Sequence, residues 1–313
     1  MNKFRFLKTM QLIDDEFLEE AYNPIRRKSR HWHTSVAIVA CISLFIGIGA
    51  WNMISGLNRV VTIMVSEYDF VLELPDNAKN VTHQIIGSDT DMPMLEASFS
   101  VDEQVYLCRM VNTEVPTDIT SSDGITVSMM NWQTSDLSFQ YRQQDEYESW
   151  ISWYDDKADI QWCLSGQNPV SLLTTAEILV QKLGYSMAVV PDGAKAFSYK
   201  AIGFQDFTVG ETGFVWEDVH YTYRMASTIK IEEYFADISD VVLFAQEYAT
   251  EVLWCPARIT IDESGYGKIV WFDVVPGLLY SLTMDACASE ESLLEMAHML
   301  FKPAQESNTR YGK

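Results

Sequence analysis

Residues 151–165, ISWYDDKADIQWCLS, read as two aromatic strands joined by a turn at DDK (155–157). Residues 268–283, KIVWFDVVPGLLYSLT, repeat this plan with Pro-Gly (276–277) at the turn. Aromatic and β-branched residues are enriched in strands, whereas Asp, Pro and Gly are enriched in tight turns. The two stretches therefore predict the same β-hairpin, present twice in one chain.

The recurrence continues on both sides of the hairpin and keeps its order along the chain. The offset between matching residues is about 115 to 121 positions, and drift of this size is what short loop insertions produce. Matching pairs include Phe99 and Phe214, Tyr106 and Tyr221, Arg109 and Arg224, Met110 and Met225, and Trp153 and Trp271. We interpret this part of the chain as two copies of one domain, at 58–184 and 185–303, followed by a polar tail at 304–313.

Residues 34–57 precede the repeats and contain no Lys, Arg, Asp, Glu or His. At about 1.5 Å rise per residue, a helix over this stretch would cross a hydrocarbon core of about 30 Å. The basic run RRKSR (26–30) comes just before it, and basic residues favour the cytoplasmic side. We therefore expect contact with the lipid bilayer through 34–57, with residues 1–33 in the cytoplasm and the repeats outside the cell membrane. A cleaved signal peptide is the alternative, but its apolar region is about 7 to 15 residues long.

Each copy has the same predicted order of elements. A strand precedes a Pro-Asp turn, at 70–74 in the first copy and at 186–190 in the second. Further strands and the aromatic hairpin follow, and an amphipathic helix ends the copy, with Ser289 as the N-cap of the second helix. Strands followed by one helix are typical of an α+β domain. The predicted fold class is α+β, with one N-terminal transmembrane helix followed by two tandem repeats, each an antiparallel sheet with a C-terminal helix packed on one face.

The charge of the chain is strongly unbalanced. The formal net charge is -22, and the acidic excess lies entirely after residue 33. An acidic surface of this kind repels nucleic acid and anionic lipid. We therefore expect no nucleic-acid partner and a soluble domain held away from the membrane surface.

Residues 1–33 carry an apolar stripe at helical spacing with an acidic patch beside it. Isolated helices shorter than about 12 to 15 residues are marginal in water, so the stripe needs a partner protein or the bilayer surface. The acidic patch argues against anionic lipid. An interfacial helix that only orients the anchor is the alternative. The predicted partner-binding residues are Phe6, Leu7, Met10, Ile13, Asp14, Asp15, Phe17 and Leu18.

Sequence motifs for catalysis, cofactor binding or metal binding are missing from the chain. His83, His220 and His298 do not recur at equivalent positions of the repeats, and no nucleotide-binding, Ser-hydrolase or zinc-protease motif occurs. We therefore expect no enzyme activity, no cofactor and no metal. Four cysteines follow residue 57, at 108, 163, 255 and 287, and they permit one or two disulfides or four buried thiols.

Two duplicated residue types are candidates for a ligand site. Arg109 and Arg224 could hold an anionic ligand, but a structural ion pair with a repeated Asp is the favoured interpretation. Trp153 and Trp271 could stack a sugar or a peptide, but aromatic residues on paired strands under a helix more often belong to the core.

The N-terminal segment MNKFRFLKTMQLIDDEFLEEA, the basic RRKSRHWH and the apolar span after them resemble a group of poorly characterised Firmicute membrane proteins. The repeats, with W-[YF]-D, [WY]-[CS]-L-[ST] and a terminal S-L-L-x-x-A-x-x-L, are similar to DUF4367-type domains of that group. The resemblance implies an anti-sigma-like role beside an extracytoplasmic-function sigma factor. The chain differs from zinc-type anti-sigma domains, because its residues 1–33 contain no Cys.

The leading functional hypothesis is therefore a membrane-anchored signalling or regulatory protein. Its extracytoplasmic tandem domain would bind a ligand or sense the envelope, and its short cytoplasmic helix would bind a sigma factor or another protein. The alternative is a cell-surface binding or structural module with a purely topogenic N-terminus.

Overall fold

The computed structural model describes residues 60–120, 126–144, 148–204, 207–227 and 237–303. The chain divides into two units, Met1–Arg59 and Val60–Lys313, and every described residue belongs to the second. The predicted cytoplasmic segment, the predicted membrane span and the polar tail lie outside the described residues.

The first half of the second unit is a hairpin followed by a seven-stranded antiparallel sheet and a helix. The strands are β1 (Thr62–Val65), β2 (Phe70–Glu73), β3 (Lys79–Ile86), β4 (Met94–Val101), β5 (Gln104–Asn112), β6 (Thr126–Gln133), β7 (Ser138–Gln144), β8 (Glu148–Asp155) and β9 (Ile160–Gly166), and the helix is α1 (Pro169–Lys182). Among the described strands, β1 and β2 pair only with each other, and the large sheet has the order β3-β4-β5-β9-β8-β7-β6.

The second half repeats the large sheet and its helix. The strands are β10 (Lys195–Gly203), β11 (Thr208–Trp216), β12 (Val219–Ser227), β13 (Glu247–Val252), β14 (Cys255–Ile261), β15 (Gly267–Asp273) and β16 (Leu278–Met284), and the helix is α2 (Glu290–Leu300). The strand order β10-β11-β12-β16-β15-β14-β13 matches the first sheet strand for strand. Ser289 is the N-cap of α2 and accepts a hydrogen bond from the backbone of Ser292.

One face of each sheet, the inner face, carries the core. A single cluster of buried apolar side chains joins the inner faces of both sheets to both helices. Helix α1 contacts β8 and β9 of its own sheet and also β10, the edge strand of the second sheet. Helix α2 contacts β13, β15 and β16. Burial of these apolar faces is the main force holding the two repeats together.

The segment between the repeats, at 186–190, is held by hydrogen bonds to side chains and does not pair with a strand. The carboxylate of Glu177 accepts hydrogen bonds from Met187 N at 2.7 Å and from Ser186 Oγ at 3.0 Å. Met187 O accepts from Trp132 Nε1 at 3.1 Å. These contacts take the backbone groups that a strand would use, so the strand predicted at 186–190 is wrong.

The predicted α+β class is also wrong, because the described chain is mostly β. Strands account for 52% of it, in two large antiparallel sheets with two helices. The strands that the prediction lacked come from the stretches between the recurring motifs. They form β6 and β7 in the first copy and β13 and β14 in the second, and so widen each sheet to seven strands.

The structure does not support the predicted transmembrane helix. Among the described residues, no helix is long and apolar enough to cross a membrane. The stretch for which that helix was predicted, 34–57, is itself outside them.

Candidate functional site

A row of side chains crosses the outer face of each sheet, the face turned away from the helix. Neighbouring members lie opposite each other on adjacent strands, and side chains alternate along a strand, so all members share one face. We call each row the transverse row. In the first repeat it is Asn131, Gln140, Ser152, Cys163, Arg109, Glu96 and Gln84. In the second it is Ala249, Arg258, Val270, Ser281, Arg224, Glu211 and Lys200.

The duplicated arginines are paired within these rows. Arg109 donates from Nε and Nη2 to Glu96 Oε2 at 2.9 and 2.8 Å, and Arg224 Nε donates to Glu211 Oε2 at 2.6 Å. The four side chains are 10 to 15% exposed. The partner is a repeated glutamate, not the aspartate that we expected. Guanidinium groups committed in this way are poorly placed to hold a free anion.

A loop crosses each outer face and accepts a hydrogen bond from another guanidinium N–H; its described residues are 113–120 in the first repeat and 237–246 in the second. Arg109 Nη1 donates to Ile119 O at 3.4 Å, and Arg224 Nη1 donates to Ile238 O at 2.8 Å. We call these loops the straps. Each strap is therefore tied to the centre of its transverse row by the same arginine.

The straps share a motif that sequence reasoning missed. Asp-Ile-Thr at 118–120 and Asp-Ile-Ser at 237–239 occupy the same place. In both, the Asp carboxylate accepts the backbone N–H of the third residue at 2.9 Å, which forms a tight turn. The motif recurs at an offset close to that of its neighbours. It was hidden because the residues around it differ between the copies.

The duplicated tryptophans lie in the core. Trp153 is 1% exposed and stacks on Trp162 with ring centroids 5.6 Å apart. Trp271 is fully buried and stacks on Tyr280 at 5.2 Å. Both are on the inner face beside the helices, so neither ring offers a surface to a ligand.

The aspartate two residues after each tryptophan shapes the hairpin turn. Asp155 Oδ1 accepts the backbone N–H groups of Lys157 and Ala158 at 3.1 and 3.2 Å. Asp273 Oδ1 accepts the N–H of Val275 at 3.2 Å. The W-x-D signature therefore encodes a buried strand end and its turn.

The open end of the first transverse row forms a groove of about 550 Å³. Asn131, Gln140 and Ser152 lie on its floor, and among the described residues their side chains make no hydrogen bond. Their amide and hydroxyl groups therefore face the groove. The remaining lining residues belong to the floor, the strap and two hairpin turns: Pro116, Thr117, Asp118, Gln133, Ser135, Asp136, Ser138, Phe139, Trp153, Tyr154, Asp156 and Gln161. The side chains of Phe139 and Trp153 are themselves buried, at 2% and 1% exposure.

Gln161 fixes the strap to the groove floor. Its Oε1 accepts the N–H of Thr117 at 3.1 Å, and its Nε2 donates to the carbonyl oxygens of Trp153 and Trp162 at 2.9 and 3.1 Å. Gln161 is buried, and both ends of its amide are used. The strap, which forms one wall of the groove, is thus hydrogen-bonded to a residue of the groove floor.

The second repeat has an apolar cluster where the first has the groove. Ser152, Tyr154 and Gln161 of the first sheet correspond to Val270, Phe272 and Leu279 of the second. A second small core forms around these residues. Its buried members are Val209, Ala226, Ile238, Val270, Phe272 and Leu279.

The strap of the second repeat closes over this cluster. Lys268 Nζ donates to a carboxylate oxygen of Asp237 and to Val241 O, the latter at 2.7 Å. Burial alone would raise the pKa of Asp237, but hydrogen bonds from Lys268 and Ser239 outweigh it and lower the pKa below 3.8. The equivalent of Lys268 in the first repeat is Trp150, so the first strap has no such lysine.

The described cysteines form no disulfide. All four thiols are free, and only Cys287 is exposed. Burial raises the pKa of Cys163 and of Cys255 to about 12, so both remain protonated thiols at neutral pH.

The described histidines lie on three different elements. His83 and His220 lie on β3 and β12, and His298 Nε2 accepts the N–H of Leu253 at 3.3 Å. The described part of the chain holds no group of His, Cys, Asp and Glu suited to a metal ion.

The predicted partner-binding residues of the N-terminal segment lie outside the described residues, so their role stays a prediction. These are Phe6, Leu7, Met10, Ile13, Asp14, Asp15, Phe17 and Leu18. The chain matches no protein-family model and no curated protein.

Proposed function

We propose that this chain is a non-enzymatic regulatory protein whose first repeat binds a hydroxyl-rich ligand, a saccharide, in the groove on its outer face. One observation carries the proposal. Two sheets with the same topology differ at equivalent positions: among the described residues, the cavity of about 550 Å³ over the first sheet is lined by amide and hydroxyl groups that make no hydrogen bond within the protein. At the three equivalent positions the second sheet has Ala249, Arg258 and Val270, and the apolar cluster around Val270 lies under the strap.

The chemistry of the groove favours a neutral, hydroxyl-rich ligand. The side-chain amides of Asn131 and Gln140 can both donate and accept hydrogen bonds, as can the hydroxyl of Ser152. Asp118 and Asp156 at the walls accept from hydroxyl groups and repel anions. These properties suit a saccharide and disfavour a phosphate or a carboxylate.

The regulatory part of the proposal concerns residues 1–33, which would bind a cytoplasmic protein such as a sigma factor. It is supported by the apolar stripe and the acidic patch of that segment. The location of the repeats outside the cytoplasm is supported by the basic run at 26–30. A surface binding module with no cytoplasmic partner is the alternative.

The groove is tested by making its floor resemble the second repeat. The full-length chain and the variant Asn131→Ala/Ser152→Val, which takes the residues found at 249 and 270, are measured on a saccharide array and by calorimetry. We expect at least a tenfold loss of affinity, or about 1.4 kcal/mol, because the variant removes hydrogen-bonding groups and keeps strand propensity.

The matched control is Ala249→Asn, which places an amide at the same edge position of the second sheet and should leave the affinity unchanged. If no saccharide binds, or if the groove variant binds as tightly as the parent, the proposed ligand site is refuted.

The N-terminal contact is tested separately in cells with Ile13→Asp and Leu18→Asp. Both changes place a charge in the apolar stripe, so we expect loss of a partner that co-purifies with the full-length chain. Full function after replacement of residues 1–33 by an unrelated basic leader would instead favour the surface-module alternative.

A further inference from the structure

Helix α1 has two covered faces. One packs on its own sheet, and the other lies against β10, the edge strand of the next repeat. Leu173 is fully buried, and Glu177 is 6% exposed. Gly203 of β10 comes so close that a Cβ there would lie 3.0 Å from Val170 Cγ2. The fold therefore uses an extended strand to cover this side of the helix.

Helix α2 occupies the same place in the second repeat, but among the described residues no strand covers this side of it. Glu291, Leu294 and His298 stand where α1 has Val170, Leu173 and Glu177. Leu294 is only half-buried and His298 is exposed. A shallow groove of about 820 Å³ runs along this side. It is lined by Glu290, Glu291, Leu294, Glu295, His298 and Met299.

The turn between β13 and β14 extends the apolar part of this surface. Leu253 and Trp254 are 40% and 41% exposed, and Met299 of α2 is 41% exposed. The hydrogen bond from Leu253 N to His298 Nε2 places the turn beside the groove. Leu253 has a φ of 53°, a backbone conformation that favours Gly, so local turn chemistry does not account for a large apolar side chain there.

The charges around the groove define what can cover it. Glu290, Glu291 and Glu295 flank the apolar side chains. The strand that covers α1, KAFSYKAIG at 195–203, carries two Lys beside apolar residues. A net charge of -22 opposes both a second copy of this chain and an anionic membrane at the same place.

We propose that the α2 groove, together with Leu253 and Trp254, docks an extended segment of another protein that carries Lys or Arg beside apolar side chains. The segment lies along α2 as β10 lies along α1. Its apolar side chains contact Leu294 and Met299, and its cationic groups pair with the glutamates. This contact is separate from the saccharide groove and does not depend on it.

The probe is a displayed library of random peptides selected on the purified full-length chain. Peptides that combine basic and apolar residues should be enriched. The variant Leu294→Gln/Met299→Gln keeps helix propensity and removes the apolar floor, so the selected peptides should bind it at least tenfold more weakly. Glu291→Gln/Glu295→Gln should weaken binding and flatten its salt dependence.

Two further variants separate docking from folding. Leu253→Gly/Trp254→Ser relieves the backbone at residue 253, so it should keep or raise the thermal midpoint while weakening peptide binding. Phe244→Ser removes an apolar side chain that is 97% exposed beyond the other end of β13, and it should leave peptide binding unchanged.

Several outcomes would overturn the proposal. One is that the selected peptides contain no Lys or Arg. Another is that the selected peptides bind the parent and the variant Leu294→Gln/Met299→Gln with equal affinity. Dimerisation of the parent in sedimentation, abolished by that variant, would assign the surface to a second copy. Binding to anionic vesicles that the same variant abolishes would assign it to a membrane.

Discussion

The outer faces of the two repeats have one topology and opposite chemistry. In the first repeat the strap stands beside a polar groove, and in the second it lies on an apolar cluster. The arginine–glutamate pair at the centre is the same in both. The difference shows that the pair and the strap belong to the scaffold, while the residues beside them decide whether a face is closed or open to a ligand.

The largest effect is expected from breaking the central pair of the closed face. Arg224→Met leaves Glu211 without its main partner at a side-chain exposure of 10%, so the free energy of unfolding should fall by about 4 kcal/mol. Urea denaturation measures it. Lys200→Met is the matched control, because Lys200 also contacts Glu211 but is 63% exposed and should cost less than about 1 kcal/mol. Equal losses in the two variants would contradict a scaffold role for Arg224.

Exchange of equivalent residues between the two faces should give the next largest effect. Leu279→Gln places an amide inside the apolar cluster of the second repeat, where no partner replaces water, and should cost about 3 kcal/mol. Gln161→Leu in the first repeat removes the tie to the strap and should cost about 1 kcal/mol. Both are read from urea denaturation. If the two exchanges cost the same, the two faces do not differ as described.

The closed strap should respond to acid through Asp237. The folded pKa of this carboxyl is below 3.8, so its stabilisation is present above that pH and is lost as the pH falls through the folded pKa. The side chain is 42% exposed, so Asp237→Asn should cost no more than about 1 kcal/mol at neutral pH.

This difference between parent and Asp237→Asn should shrink below pH 3.8 in unfolding curves measured across pH. Asp118→Asn at the equivalent position is the control, since no described lysine pairs with Asp118, and it should change neutral-pH stability less. A difference that grows in acid would show that the pair does not stabilise the strap.

The smallest effect concerns a bulge that the two edge strands share. Asn80 on β3 and Ala196 on β10 have φ values of 53° and 48° at the register shift of each strand. Asn tolerates this conformation better than Ala, so Ala196→Asn should stabilise the protein by about 0.5 kcal/mol in thermal unfolding. Ala201→Asn on the same strand is the control and should give no gain. A loss in Ala196→Asn would mean that the bulge tolerates only a small side chain.

The recurring residues located parts of this fold and missed others for a physical reason. Trp153 and Trp271 mark the central hairpins because core packing restricts what can replace them. The strands β6 and β13 lie at sheet edges, where only one neighbour constrains them, and they share little sequence. Because the prediction left these edge strands out, it gave each repeat too small a sheet and the wrong class, α+β. The described chain is mostly β.

The candidate site could not be predicted from the sequence for a related reason. Asn131, Gln140 and Ser152 come from three strands and are ordinary polar residues in the sequence. They become neighbours only through the strand register. The duplicated residues Arg109 and Trp153 were the sequence-based candidates, yet in the structure one is in a buried ion pair and the other lies in the core.

Turn chemistry, periodicity and charge are local properties, so the amino-acid sequence was enough to show that one unit occurs twice, where its hairpin turns lie and how acidic the repeats are. Strand pairing in the folded chain brings the groove residues onto one face, pairs Arg109 and Arg224 with glutamates and, among the described residues, leaves one side of α2 without a covering strand. Those features depend on the register of several strands together, which hydrophobic pattern and turn geometry set jointly and which no single motif shows.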